Sequence, residues 1–108
     1  MKSEITIYSL ADCDKCKSVI QFLDSKGIQY VKEECYGDSQ DCDKMEDITN
    51  FSKYPVIKLT TPEEKDVYFG CSKTKKEGTV TEISTYSVSY TYSDIENLKK
   101  GFYNIYKK

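Results

Sequence analysis

Between Ile5 and Tyr30 the chain reads ITIYSLADCDKCKSVIQFLDSKGIQY, with Cys13 and Cys16 set where a strand pattern gives way to a helical one. Glu4 to Tyr8 alternates as a strand. From Asp14 to Lys26 the apolar positions Cys16, Val19, Ile20 and Leu23 recur at i, i+3, i+4 and i+7, the stripe of a helix packed on a sheet. Gly27 supplies C-cap chemistry, and Ile28 to Val31 is a second strand. Strand, helix and strand within thirty residues predict a right-handed parallel unit. That unit commits the chain to an α/β sheet.

A polar stretch, Glu33 to Gln40, leads to a weaker helix over Asp41 to Phe51, with Met45, Ile48 and Phe51 on one side. Pro55 opens the strand VIKL, and TPEEKD turns into VYF, close enough in sequence to make an antiparallel hairpin. Gly78 to Tyr92 reads as two more short strands about Ser84-Thr85. Asp94 to Tyr106 carries Ile95, Leu98, Phe102 and Ile105 on a helical stripe, with Ser93 or Asp94 as N-cap. The order is βαβαββ, a β-rich insert, then α. It predicts one α/β domain over residues 1–108, a mixed sheet flanked by helices.

With 108 residues the chain can bury a core without a staple. No stretch is apolar enough to span a bilayer, and MKSEITIY enters a strand pattern with no apolar leader, so a cytoplasmic, thiol-reducing location is expected. Net charge is −2 and every basic residue is Lys. Without Arg's bidentate fork, nucleic-acid binding is disfavoured. Histidine is absent, which removes Cys/His and Ser/His/Asp catalysis and the Cys/His zinc patterns.

The cysteine pair admits three readings. A zinc site would need a second pair at similar spacing, whereas Cys35, Cys42 and Cys71 offer a six-residue gap and a singleton, so no metal is expected. A structural disulfide would close a very short loop in a reducing compartment. Redox chemistry fits best. With Asp12 or Cys13 at the helix start, free N–H groups and the helix dipole face the first sulfur, while Cys16 turns inward one turn later. Such placement lowers a thiol pKa from about 8.5 into a range of roughly 3.5–7.5. Lys15 and Lys17 reinforce the effect and Asp12 and Asp14 oppose it, nearly cancelling. Cys13 is then the attacking thiolate and Cys16 the thiol that resolves the mixed disulfide.

The pattern resembles the glutaredoxin family of the thioredoxin fold. The stretch from Ile5 to Tyr30 is similar to that family's first strand, active-site helix and second strand, and DITNFSKYPVIKL to its second helix and Thr-Val-Pro loop. VYFGCS is similar to its last strand and glycine motif, and YSDIENL to the helix start that binds glutathione's γ-glutamyl end. The resemblance covers nearly all of the chain except about residues 72 to 91. It implies a thioredoxin-like four-stranded mixed sheet (βαβαββα) flanked by helices, with an extra β-hairpin near residues 72–92.

The resemblance also implies roles. Cys13 and Cys16 would be catalytic, and Pro55 a cis-proline facing them, with the Tyr54 backbone pairing with bound peptide. Ser93 and Asp94 would together meet a glutathione amine and carboxylate through the helix N-terminus and the Asp side chain. The plain alternatives are a strand-opening Pro55 and a bare N-cap at Ser93-Asp94. Three departures concern the glutathione half. Pro-Tyr between the cysteines is Asp14-Lys15, the lysine three residues before the nucleophile is Leu10, and the paired glycines reduce to Phe69-Gly70. Any carboxylate clamp would have to come from Lys15, Lys17 or Lys53.

The expected function is a monomeric dithiol–disulfide oxidoreductase without a tightly bound cofactor, acting on protein disulfides or glutathione mixed disulfides with glutathione as reductant. LDSKGIQY is also similar to small donors that serve ribonucleotide reductase and draw on thioredoxin reductase, an alternative electron source. The competing class is a thioredoxin-fold adaptor, or a glutathione-dependent iron–sulfur module. Tyr86, Val88, Tyr90 and Tyr92 fall on one side of the insert, as packing or as a docking edge for a protein. Cys35 and Cys42 flank the acidic loop CYGDSQDC as free surface thiols or a second disulfide. Cys71 is expected as a free thiol near the site, with Tyr8 near the active-site helix.

Overall fold

The computed structural model describes residues 3–35, 39–72 and 76–107. Its elements are β1 (Glu4–Ser9), α1 (Asp14–Ser25), β2 (Val31–Glu34), α2 (Gln40–Thr49), β3 (Val56–Thr60), β4 (Asp66–Cys71), β5 (Thr79–Ser84), β6 (Ser87–Tyr92) and α3 (Ile95–Tyr106). The sheet order is β2-β1-β3-β4-β6-β5. The expected four-stranded mixed sheet is its first part: β1 runs parallel to β2, and β1–β3 and β3–β4 are antiparallel. The insert extends this sheet. β6 pairs parallel with β4 from Asp66↔Ser87 to Cys71↔Tyr92, and β5 lies antiparallel outside it.

Alternation along the strands splits the core into two layers. On one face Ile5, Ile7, Ile57, Leu59, Val67 and Phe69 meet Val19 and Leu23 of α1 and Leu98 and Phe102 of α3. On the other, Tyr8, Val56 and Tyr68 meet Cys42 and Met45 of α2, with Cys35 and Phe51. Of the insert's tyrosines, Tyr90 and Tyr92 belong to the first layer. Tyr90 stacks on Phe69 at 5.4 Å, and Phe69 meets Phe102 edge-on at 5.3 Å. Packing is therefore the reading that holds for Val88, Tyr90 and Tyr92, while Tyr86 is 66% exposed.

Two boundaries differ from expectation, each for a local reason. The second strand begins at Val31, not Ile28, because Ile28 closes α1. Its N–H donates to Leu23 O and that of Gly27 to Asp24 O, with Gly27 at φ 68°, and the Ile28 side chain is buried. The second helix ends at Thr49, with Asn50 at φ 63° as its left-handed cap. Its buried stripe is Cys42, Met45 and Thr49; Ile48, expected on that side, is 44% exposed. Phe51 is released to lie against Gly70, where a Cβ would come within 2.8 Å of the ring.

Candidate functional site

Strand pairing brings four loops to one end of the sheet. The end of β1, which leads into the cysteine loop, lies beside the start of β3, since Tyr8 pairs with Val56 just after Pro55. The end of β4 lies on the other side of β3, and the ends of β4 and β6 are paired at Cys71↔Tyr92. Cys13, Pro55, Cys71 and Ser93-Asp94 thus emerge together. Parallel strands ending at a switch in connectivity are where open α/β sheets present ligand crevices.

Cys13 is the N-cap of α1, with extended backbone, and its sulfur accepts the N–H of Cys16 at 3.1 Å. Asp12 before it holds a left-handed φ of 55°, a conformation that Asp tolerates better than most residues. Cys13 is half-buried and Cys16 is 2% exposed, the two lie 5.2 Å apart at Cα, and they are bonded as a disulfide. The placement follows from helical spacing: a cap residue faces the loop, and the residue three later falls on the buried stripe with Val19 and Leu23. The Tyr54–Pro55 peptide is cis and Pro55 is buried. Burial pushes the Tyr54 phenol up to about 12, helped by the Glu46 carboxylate to which it donates, so this side chain leans onto α2.

Beside the pair lies an open cleft of about 460 Å³. Asp14, Lys15 and Ser18 of α1 line it, with Lys53-Tyr54, Cys71-Ser72 and the Ser93–Glu96 segment at the head of α3. Lys15, Tyr54, Ser93 and Asp94, foreseen from sequence, therefore share one cavity, as does Lys53. Lys17 does not line it. Cys71 is a free thiol held half-buried in the wall. Burial is the main cause that pushes it up to about 11; Lys15 and Lys53 pull it down, and Asp94 and Glu77 push it further up. At neutral pH it is a thiol, not a thiolate.

A sequence model of one family, Glutaredoxin, matches residues 5–60. The chain belongs to the glutaredoxin family. No curated protein and no solved structure matches it. The matched residues run from β1 through β3 and include both cysteines and Pro55, so the glutaredoxin match covers the thiol side of the cleft. The α3 side and the insert lie outside it.

On the α3 side the plain N-cap reading holds for Asp94. Asp94 is the N-cap of α3, its carboxylate accepting the Asn97 N–H at 2.8 Å. Ser93 uses both donors on one internal partner: its N–H donates to Glu77 Oε2 at 3.0 Å, and its hydroxyl donates to the same oxygen. Glu77, in the turn before β5, was not foreseen as a site residue. The sequence signal was Gly78, whose φ of 70° sets the turn that presents Glu77.

The remaining cysteines depart from the surface-thiol reading. Cys35 and Cys42 form a disulfide, 7% and 1% exposed, in the second core layer; residues 36–38 of the loop between them lie outside the described residues. Cys35 N–H donates to Ser9 O at 2.7 Å, fastening this cross-link to the end of β1. Tyr8, expected near the active-site helix, belongs to the α2 face instead, because strand alternation turns it away from Ile7 and the α1 side. Among the described residues, no group of three or more His, Cys, Asp or Glu could hold a metal ion. No described helix is long and apolar enough to cross a membrane.

Proposed function

We propose that this glutaredoxin-family chain is a dithiol–disulfide oxidoreductase acting on protein disulfides or glutathione mixed disulfides. The observation that carries the proposal is Cys13 at the cap of α1, its sulfur reachable and already accepting the Cys16 amide, with Cys16 buried behind it. In the reduced protein the Cys13 thiolate attacks one sulfur of a substrate disulfide. A Cys13–substrate bond forms and the other substrate half leaves as a thiolate that takes up a proton. Deprotonated Cys16 then attacks the Cys13 sulfur, the Cys13–Cys16 bond forms, and the second substrate half leaves as a thiol. Two electrons pass from the protein dithiol to the substrate. An external thiol donor, glutathione or a reductase of the thioredoxin reductase class, restores the dithiol. Lys15 and Lys53 offer point charges to a substrate carboxylate, and the Tyr54 backbone before cis-Pro55 offers hydrogen bonds to a bound peptide strand. The setting we propose is a cytoplasmic monomer without a resident cofactor.

Two assays run side by side test this: reduction of a small glutathione mixed disulfide by glutathione and its reductase, and reduction of insulin by thioredoxin reductase. Activity in the first alone assigns glutathione as donor; in the second alone, the reductase. The proposal fails if Cys13→Ser retains activity in whichever assay responds, or if neither responds.

A further inference from the structure

The oxidoreductase reading leaves open which disulfides enter the cleft, and the insert bears on that. The head of α3 presents a carboxylate receiver, and a carboxylate already occupies it. The Ser93 N–H and hydroxyl both donate to Glu77 Oε2, and Ser93 is itself part of the cleft wall. The placement is built by backbone, not by a side chain that happens to reach over. The Gly78 N–H donates to Thr91 O at 2.9 Å, the Thr79 N–H donates to Lys76 O at 3.2 Å, and the Thr79 hydroxyl donates to Lys76 O at 2.6 Å. These bonds clamp the 76–79 turn onto the end of β6, and the positive φ of Gly78 fixes its path. Glu77 also acts electrostatically on the cleft: its charge is among those that push the Cys71 thiol and the buried Tyr92 phenol upward.

We propose that Glu77 is a built-in specificity residue that occupies the Ser93 donors and selects against disulfides carrying a carboxylate at that end of the cleft. This rests on the oxidoreductase reading and refines its substrate class. A substrate carboxylate can use the Ser93 donors only by displacing Glu77; otherwise two like charges face one pair of donors. A disulfide that places no carboxylate at Ser93 meets no such opposition there, whatever Lys15 and Lys53 bind elsewhere in the cleft, and exclusion by an unfavourable partner is as effective a source of specificity as added attraction. Disulfides of polypeptide segments without a nearby acidic group are the class this wall favours, and the carboxylates of a glutathionyl group are what it resists.

The test is a single turnover of protein reduced at the Cys13–Cys16 pair alone by a mild thiol reductant that is then removed. It is mixed either with glutathione disulfide, which carries carboxylates, or with bis(2-hydroxyethyl) disulfide, which carries none. In both cases the protein dithiol is oxidised to the Cys13–Cys16 disulfide and the reagent is reduced to two thiols. The readout is the ratio of the first rate to the second. Glu77→Ala should raise that ratio about fivefold or more, since it removes a charge that faces the receiver. Glu77→Gln, which keeps the shape and a neutral acceptor, should raise it by less. A ratio that stays level or falls in both variants overturns the role of Glu77 while wild-type reactivity leaves the oxidoreductase reading intact. Wild-type protein that reacts with neither reagent defeats the oxidoreductase reading, and this inference falls with it.

Discussion

Two cysteines near one cleft, Cys13 and Cys71, are made unlike by their placement. Cys13 receives a backbone N–H and the free end of α1, both of which favour its anion. Cys71 sits in the cleft wall with its charge desolvated, and burial pushes it up to about 11. A thiol deprotonates only as pH passes its pKa, so at pH 7 roughly one Cys71 in ten thousand is ionised. Alkylation of the reduced protein should therefore mark Cys13 first. Its rate should rise with pH and level off below the 8.5 or so of a free thiol, while Cys71 labelling should still be climbing at pH 10. Peptide mapping of the adducts across pH checks both. A Cys13 midpoint at or above 8.5 would remove the argument for its role as nucleophile. Much of this was legible beforehand, because a cap position and a helical period are local properties. That Ser93 would be engaged by Glu77 was not, since sixteen residues separate them and only a folded turn joins them.

At the scale of elements, α1 was readable from its stripe and its glycine stop, while β2 was read as a strand but placed three residues early. An edge strand with one neighbour carries little apolar signal, and VKEE is exposed or half-buried throughout. The end of β2 is secured instead by Cys35, through its disulfide to Cys42 on α2 and the hydrogen bond its N–H donates to Ser9 O. Free surface thiols were a fair reading of CYGDSQDC, since no local pattern reveals that both sulfurs turn inward under Tyr68 and Met45. The cross-link closes a loop with a sequence separation of 7. Chain-entropy reasoning gives such a loop a stabilising contribution of about 2–3 kcal/mol. Replacing both cysteines by alanine should lower the urea midpoint, and the unfolding free energy read from it should fall by at least that amount, with lost packing added. A mild thiol reductant should open Cys13–Cys16 well before it touches this pair, which burial shields. Equal midpoints for variant and parent would show that the bond constrains nothing.

For the molecule as a whole, the decisive fact is where the insert joins. The two apolar layers and the order of the first four strands follow from alternation and from the parallel unit at the start. The place of residues 79–92 did not follow, because a hairpin's sequence says that two strands pair and is silent on which third strand they meet. Here β6 takes the open edge of β4 in parallel, which leaves β5 as the outer strand. The insert is thus part of the main core, and deleting it would expose Phe69 and the β4 edge together. Such a deletion would report on folding before it reported on any partner. Single substitutions separate the two questions. Tyr90→Ala removes a ring stacked on Phe69 and should cost about 2–3 kcal/mol, a fall in thermal midpoint of roughly 10–20 °C for a domain of this size. Tyr86→Ala, at a position 66% exposed, should change stability by no more than about 0.5 kcal/mol. If Tyr90→Ala melted with the parent protein, β6 would be an attachment to a four-stranded domain. A paired fall for Tyr90 alone would make the six strands one cooperative unit, so that the turn carrying Glu77 is held in place by the stability of the whole sheet.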